Sequence, residues 1–261
     1  MESNKQFMQI SIITASHGRP HILRAWCLGI ERLRYEISGK GVDVDAVCVS
    51  DEWDRELCRV HWINHVPYPN IPVTNKFNKA VKVACDLYNP DYVMVLGSDD
   101  LISTDTFLNI VKALEEAETP IDVIGVSNIY FFSTEGTHRG SLVQLRGERM
   151  LGVGKTISRR VLNEVGQRPW GKEKNWGMDS VLTQTIAPFV KKTKVLHDQK
   201  IFDLKSKENL NKYSLWASKF KPEDPNVFWD NIGSREKRLV ENIIKGDEKR
   251  QSRKGNILGG I

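Results

Sequence analysis

Two adjacent carboxylates, Asp99 and Asp100, follow the apolar run Tyr92-Val-Met-Val-Leu96 across a Gly97-Ser98 break. A continuous β-favouring run of this kind is the pattern of a strand covered on both faces, which puts both carboxylates at its C-terminal end. Ligands bind off that edge in open α/β sheets, and paired hard oxygen donors there suit a divalent cation carrying a phosphate-bearing substrate. The competing role for either aspartate is to cap the helix that follows, but Thr104 or Asp105 is an equally good cap for the periodic run Phe107, Ile110, Val111, Leu114. A third carboxylate, Asp179, opens a helical pattern behind the Trp- and Gly-rich segment 168–177. It can take a proton as a general base or cap the helix over 180–186. His197, in Val195-Leu-His-Asp198, is a lone histidine in a strand-like segment, a place where the residue is most often structural or solvent-facing. His17, His61, His65 and His138 form no ligand spacing.

The elements that must position these groups alternate along the first half. Gln9 to Thr14 reads as a strand, and Ile22, Leu23, Trp26, Ile30 and Leu33 give 21–33 a helical period. Val42 to Ser50 alternates as a second strand, and Val60 to Val66 is a short third apolar piece. Pro67 to Pro72 excludes regular helix. Phe77, Ala80, Val81, Ala84 and Leu87 make 75–87 an amphipathic helix, followed by the strand at 92–96. Strands and helices in this order imply right-handed crossovers and a mainly parallel, three-layer α/β/α sheet. After the helix over 107–118, Ile121 to Phe132 reads as one long strand, 133–148 as a loop or hairpin over the site, and 159–165 as a short helix. Val195 to Leu204 is the last expected strand. Beyond it, Trp216, Phe220, Phe228 and Trp229 suggest an ordered lid or packing segment.

The chain has 261 residues, 40% hydrophobic and 27% charged, the make-up of an ordinary globular protein. No apolar stretch approaches a membrane span and residues 1–6 lack the core of a secretory signal, so a cytoplasmic protein is expected. Cys27, Cys48, Cys58 and Cys85 lie mostly in apolar segments without Cys-x-x-Cys spacing, which favours reduced core thiols over zinc ligands or disulfides. The net charge is +5, with Lys245, Lys249, Arg250, Arg253 and Lys254 concentrated near the C-terminus. Such a run is a solvated tail or an electrostatic handle for a polyanion. Leu151-Gly-Val-Gly-Lys-Thr156 is not a P-loop, because Arg149 stands where that motif needs its first glycine.

Taken together, Thr14-Ala-Ser-His-Gly-Arg-Pro20, Asp51 closing the second strand, Asn75-Lys-Phe-Asn-Lys-Ala80, Gly97-Ser-Asp-Asp100, Trp176-Gly-Met-Asp179 and His197 follow one order. Over roughly residues 9 to 200 the chain resembles the GT-A (Rossmann-like) glycosyltransferases, family-two-like, which use nucleotide-diphosphate sugar donors. The resemblance implies a GT-A catalytic domain over 1–205, a C-terminal lid or packing segment over 206–244 and a basic flexible tail over 245–261. It implies that Thr14, Ala15 and Ser16 approach the nucleoside, that Asp51 accepts from the base, and that Arg19 and Lys76 reach the diphosphate. Asn78, Ser98 and Trp176 complete the expected donor site. It assigns Asp99 and His197 to a Mn²⁺ or Mg²⁺ ion, Asp100 to the cluster or the donor sugar, and Asp179 to the catalytic base of an inverting transfer to a hydroxyl. The family places a further Asp two residues before the main metal ligand; this chain has Gly97 there, leaving a DXD-like motif whose metal is held by fewer carboxylates or through water.

For several of these residues a plainer role stands beside the implied one: a turn for Asp51, a solvated cation for Arg19 or Lys76, a helix cap for Asn78 and core packing for Trp176. The expected partners are a UDP-sugar or similar donor and a hydroxyl acceptor, either a glycan or lipid-linked sugar or a polyanion such as modified DNA. Two other functions compete. A nucleotidyltransferase would need a Gly-rich basic N-terminal phosphate loop, which is missing. A nucleic-acid-binding protein would use the basic tail, but no element alternates basic and aromatic residues.

Overall fold

A computed structural model describes residues 7–70, 72–134, 140–144, 149–175, 177–206 and 221–258, with 247–258 as backbone. The elements run β1 Met8–Ala15, α1 Pro20–Glu36, β2 Val42–Ser50, α2 Arg55–Val60, β3 Asn64–Pro67, α3 Val73–Tyr88, β4 Tyr92–Val95, β5 Asp100–Ile102 and α4 Thr104–Glu115. They continue with β6 Val123–Val126, β7 Asn128–Ser133, β8 Gly140–Gln144, β9 Thr156–Ser158, α5 Arg159–Glu164, α6 Met178–Ile186, β10 Thr193–Leu196, β11 Ile201–Lys205, β12 Lys221–Pro222, α7 Asn226–Trp229 and α8 Ser234–Leu258.

The main sheet has the order β3-β2-β1-β4-β9-β6-β10. β9 is antiparallel to β4 and β6, and the other pairs are parallel. Alternate residues of the central strands enter opposite layers. Ile10, Ile12, Ala46, Cys48 and Met94 pack with Leu23, Trp26, Phe107 and Ile110 of α1 and α4. Ile13, Val47, Val49, Val93 and Val95 pack with Phe77, Ala80, Val81 and Ala84 of α3. Each large side chain enclosed in this way contributes about 1.5–3 kcal/mol of hydrophobic stabilisation, which is what fixes the three layers. All four cysteines are buried and unbridged.

A second sheet, β12-β8-β7-β11-β5, lies beyond the main one. The two long apolar runs read as single strands each divide between the sheets. β6 and β10 pair in parallel in the main sheet, while β7 and β11 pair in parallel in the second. Both chains cross at one place, where Ser127 Oγ meets His197 Nδ1 at 2.8 Å and Asn128 Oδ1 accepts the Gln199 N–H at 2.9 Å. Residues 55–60, to which the sequence reading gave no element, are helical. Ser103, rather than Thr104 or Asp105, caps α4 by accepting the Thr106 N–H.

Phe228, Ile232 and Val240 join Ile22, Leu101, Phe132, Phe202 and Leu204 in a third core cluster, so α7 and the start of α8 pack against the body, while Trp216 and Phe220 lie outside the described residues. The basic run at 245–254 lies within α8. No described helix is long and apolar enough to cross a membrane.

Candidate functional site

The strand order reverses between β1 and β4, and the crevice at such a switch point is where open α/β sheets bind ligands. Here the segment leaving β1 and the segment leaving β4 are tied together. Arg19 Nη1 donates to Asp99 Oδ2 at 3.1 Å, and Arg19 Nη2 donates to Ser98 Oγ at 2.9 Å. Asp99 and Asp100 are therefore held at the strand edge and cap no helix. Asp100 begins β5, and its Oδ2 accepts the Gly97 N–H at 2.5 Å.

One carboxylate oxygen from each of Asp99, Asp100 and Asp203 lies within 4.8 Å of the other two. Register explains the third member, because β11 pairs antiparallel to β5 with Asp203 opposite Asp100. Lys205, two residues on, donates to Asp203 Oδ2 at 2.5 Å. Burial works against the charge on Asp99, but the Arg19 and Lys205 cations outweigh it and hold its carboxyl below the ordinary range. Burial, reinforced by the Asp203 and Asp99 charges, pushes Asp100 well up. Asp203 is pushed up to about 6, by burial first and by Asp99 next, against the pull of Lys205. Burial alone would lower Lys205, but Asp203 and Asp99 raise it. A divalent ion suits this donor set: the ligands are hard oxygens, and the buried Asp203 Oδ1 has no hydrogen-bond partner.

Beside the crevice, Asp51 ends β2 with Oδ1 at 2.8 Å from His17 Nδ1 and Oδ2 accepting the Gly18 N–H at 3.0 Å. It thereby fixes the loop after β1. Thr14 and Ser16 are buried, with hydroxyl oxygens that lack partners, and Ala15 is half-buried between them. Lys76 does not face outward toward a diphosphate. It is 1% exposed, donates to the Ser16 carbonyl at 2.5 Å from beneath the loop, and is lowered by burial against the opposing charges of Asp51 and Asp54. Asn78 is likewise taken up internally, with Nδ2 donating to the Trp170 carbonyl at 2.9 Å and Oδ1 accepting the Trp170 N–H at 3.0 Å.

Asp179 is the second residue of α6, whose N-cap is Gly177, so it does not cap the helix by its side chain. Its Oδ2 accepts the Gly152 N–H at 3.2 Å. The Gly152 turn belongs to the same sheet edge as the aspartates, because Gly154 N–H donates to the Val95 carbonyl at the end of β4. Lys155, 2% exposed, donates to Thr183 Oγ1 at 3.1 Å and feels the Asp179 charge, which offsets part of the lowering imposed by burial. His197 is exposed, engages Ser127 at the crossing between sheets, and is not a member of the Asp99 group. Trp176 lies outside the described residues.

Sequence reasoning missed Asp203, Lys205 and Lys155. A lone acid inside the apolar run Ile201-Phe-Asp-Leu204 was the available signal for the first. Lys155 was hidden in a Gly-Lys-Thr string that fails as a phosphate loop.

No protein-family model matches the sequence, and no curated protein is similar to it in sequence. Among solved structures, residues 1–349 of S. aureus TarS in complex with UDP-GlcNAc superpose with a TM-score of 0.55 at 16% identity, over 79% of this chain and 61% of that one. The complex of the same fragment with UDP gives 0.53 at 13% identity, over 90% and 65%. S. aureus TarS itself gives 0.54 at 14% identity, and this chain spans 37% of it. The strand order, the switch-point crevice and these superpositions agree on the architecture: the chain has a GT-A (Rossmann-like) fold.

Proposed function

We propose that the chain is a metal-dependent glycosyltransferase that moves a sugar from a nucleoside diphosphate donor, of which UDP-GlcNAc is the first to test, to a hydroxyl acceptor. The observation that carries this reading is the Arg19–Asp99–Ser98 tie across the switch-point crevice, with the carboxylate group behind it and Asp179 tethered at the same edge. That S. aureus TarS shares the fold and was solved with UDP-GlcNAc and with UDP supports the choice of donor.

In this reading the loop at 14–18 lies along the nucleoside, and Asp51 accepts the imide N–H of the base, the half-exposed His17 ring giving way to it. Arg19 turns its guanidinium from Asp99 to the diphosphate oxygens, a planar fork matched to phosphate. Asp99 and Asp100 would hold Mn²⁺ or Mg²⁺, which when bound supplies electrostatic stabilisation to the departing diphosphate. Asp179 accepts the acceptor hydroxyl proton as that oxygen bonds to the anomeric carbon, while the bond from that carbon to the diphosphate breaks and its electron pair leaves with the phosphate. One displacement with one base gives inversion. Lys155, buried behind the base, donates to Thr183 Oγ1 on the helix that carries Asp179 and so helps to hold that helix in place.

The test is donor turnover. UDP-GlcNAc with Mn²⁺ should release UDP, faster with a sugar acceptor, and Asp99→Asn and Asp179→Asn should each abolish transfer while the second retains UDP binding. Absence of UDP binding by calorimetry, with or without Mn²⁺, would sink the proposal.

A further inference from the structure

Gly97 raises a question that the carboxylates around it answer. A Cβ at that position would stand 2.7 Å from Asp100 Oδ2 and 2.9 Å from Asp99 Oδ1, so a side chain there would push into both acids. An aspartate at 97 requires the Asp99 and Asp100 carboxylates to shift from the places they hold. The space is instead approached from the other side by β11, which carries Asp203 to the same few ångströms.

We propose that Asp203 is a ligand of the divalent cation, completing from β11 the set that Gly97 leaves short. The inference rests on the transferase reading only in taking the Asp99 crevice as the metal site. Three features support it. Asp203 is 9% exposed and its Oδ1 has no hydrogen-bond partner, and leaving a buried carboxylate oxygen unused is costly unless something else occupies it. Lys205 Nζ, at 2.5 Å from Oδ2, fixes the direction of the carboxylate and leaves Oδ1 over, the arrangement by which a supporting group orients a metal ligand. Three carboxylates converge here, and a divalent cation between them offsets part of their mutual repulsion and frees Arg19 for the diphosphate.

The contribution comes from a strand of the second sheet, about a hundred residues from Asp99 in sequence. This explains why a local acidic motif understates the site. It also ties the β5–β11 pairing to binding, since register between Asp100 and Asp203 sets the spacing of the donors.

Direct cation binding distinguishes this from a role in folding. Mn²⁺ is titrated into the whole chain with UDP present and free Mn²⁺ is read by electron paramagnetic resonance. Asp203→Asn should weaken Mn²⁺ by at least about tenfold, by comparison with losses seen on altering mere supporting groups, while UDP binding in chelator stays within about twofold. Asp203→Cys should lose Mn²⁺ but keep Cd²⁺, since a thiolate selects the softer ion. Because Asp203→Asn leaves Lys205 buried without its partner, the double variant Asp203→Asn/Lys205→Met is measured alongside, and it too should lose Mn²⁺. Wild-type Mn²⁺ affinity in either folded variant, with loss in Asp99→Asn, overturns the role of Asp203 and leaves the metal site standing. No Mn²⁺ binding by the wild type with UDP overturns both.

Discussion

Gly152 and Asp179 are fitted to one another. The glycine N–H donates to the carboxylate at 3.2 Å, and a methyl group on the same glycine would overlap it. Gly152→Ala therefore leaves its own backbone unstrained but drives Asp179 from its place, and a displacement of about 1 Å at a catalytic group can cost on the order of a hundredfold in rate. Sugar transfer should fall by about that factor with UDP affinity unchanged. Equal loss of both would mean that the turn serves the fold and not the base.

Lys155 provides a contrast between stability and activity. Burial makes its ammonium unfavourable, so Lys155→Met should match or exceed the wild type in urea unfolding. Lys155 Nζ donates to Thr183 Oγ1 on α6, the helix that carries Asp179. Without that tie sugar transfer should fall while UDP affinity is unchanged. A variant that keeps full transfer would assign Lys155 to packing.

Much of this arrangement was legible in the chain. β4 is covered on both faces, which produces the unbroken apolar run that marks it, and the carboxylates after it follow from where such a strand must end. The division of 121–132 and 193–205 between two sheets was not legible. An apolar run looks the same whether its hydrogen-bond partners change halfway or not, and the signs of the change, Ser127 and His197, pair only in three dimensions. Asp203 was hidden for the same reason, since its meaning comes from the residue opposite it on β5. The family resemblance of Asn75-Lys-Phe-Asn-Lys-Ala80 places Lys76 and Asn78 among the ligand contacts. Their side chains turn inward instead, to the Ser16 and Trp170 backbones.

Asp54 should make stability depend on pH. It is 1% exposed, and neither oxygen has a hydrogen-bond partner. Burial pushes its carboxyl up, the Asp51 charge adds to this, and Ser50, His65 and Lys76 oppose it. A carboxyl raised on folding contributes stability in the protonated state that is fully present below its unfolded value, about 3.9, and is lost as pH rises through the folded value. Burial lowers the neighbouring His65 imidazole, against the Asp51 carbonyl and the Asp54 charge that raise it. Asp54→Asn cannot ionise, and its melting temperature relative to wild type should climb from pH 4 to pH 7. A difference constant with pH would show that the carboxylate is solvated or paired in the folded protein.

The attachment of α8 to α1 turns on an asymmetric ion pair. Arg32 Nε donates to Glu236 Oε1 at 2.7 Å, and Arg32 also donates to the Ile102 carbonyl and Thr104 Oγ1, both at 2.8 Å. Glu236 is 1% exposed, and Arg32 is its only ion-pair partner among the described residues. Removing the arginine leaves a buried carboxylate uncompensated, which costs about 3–5 kcal/mol, whereas removing the glutamate charge leaves an arginine that keeps its other acceptors. Arg32→Leu should therefore lower unfolding free energy by about that amount and Glu236→Gln by markedly less, on the order of 1–2 kcal/mol for the weakened hydrogen bond. Arg32→Leu/Glu236→Leu, with both charges gone, should recover part of the loss. If the two single variants are equally destabilised in urea titrations, the pair acts by mutual attraction alone and the buried position of Glu236 sets no extra cost.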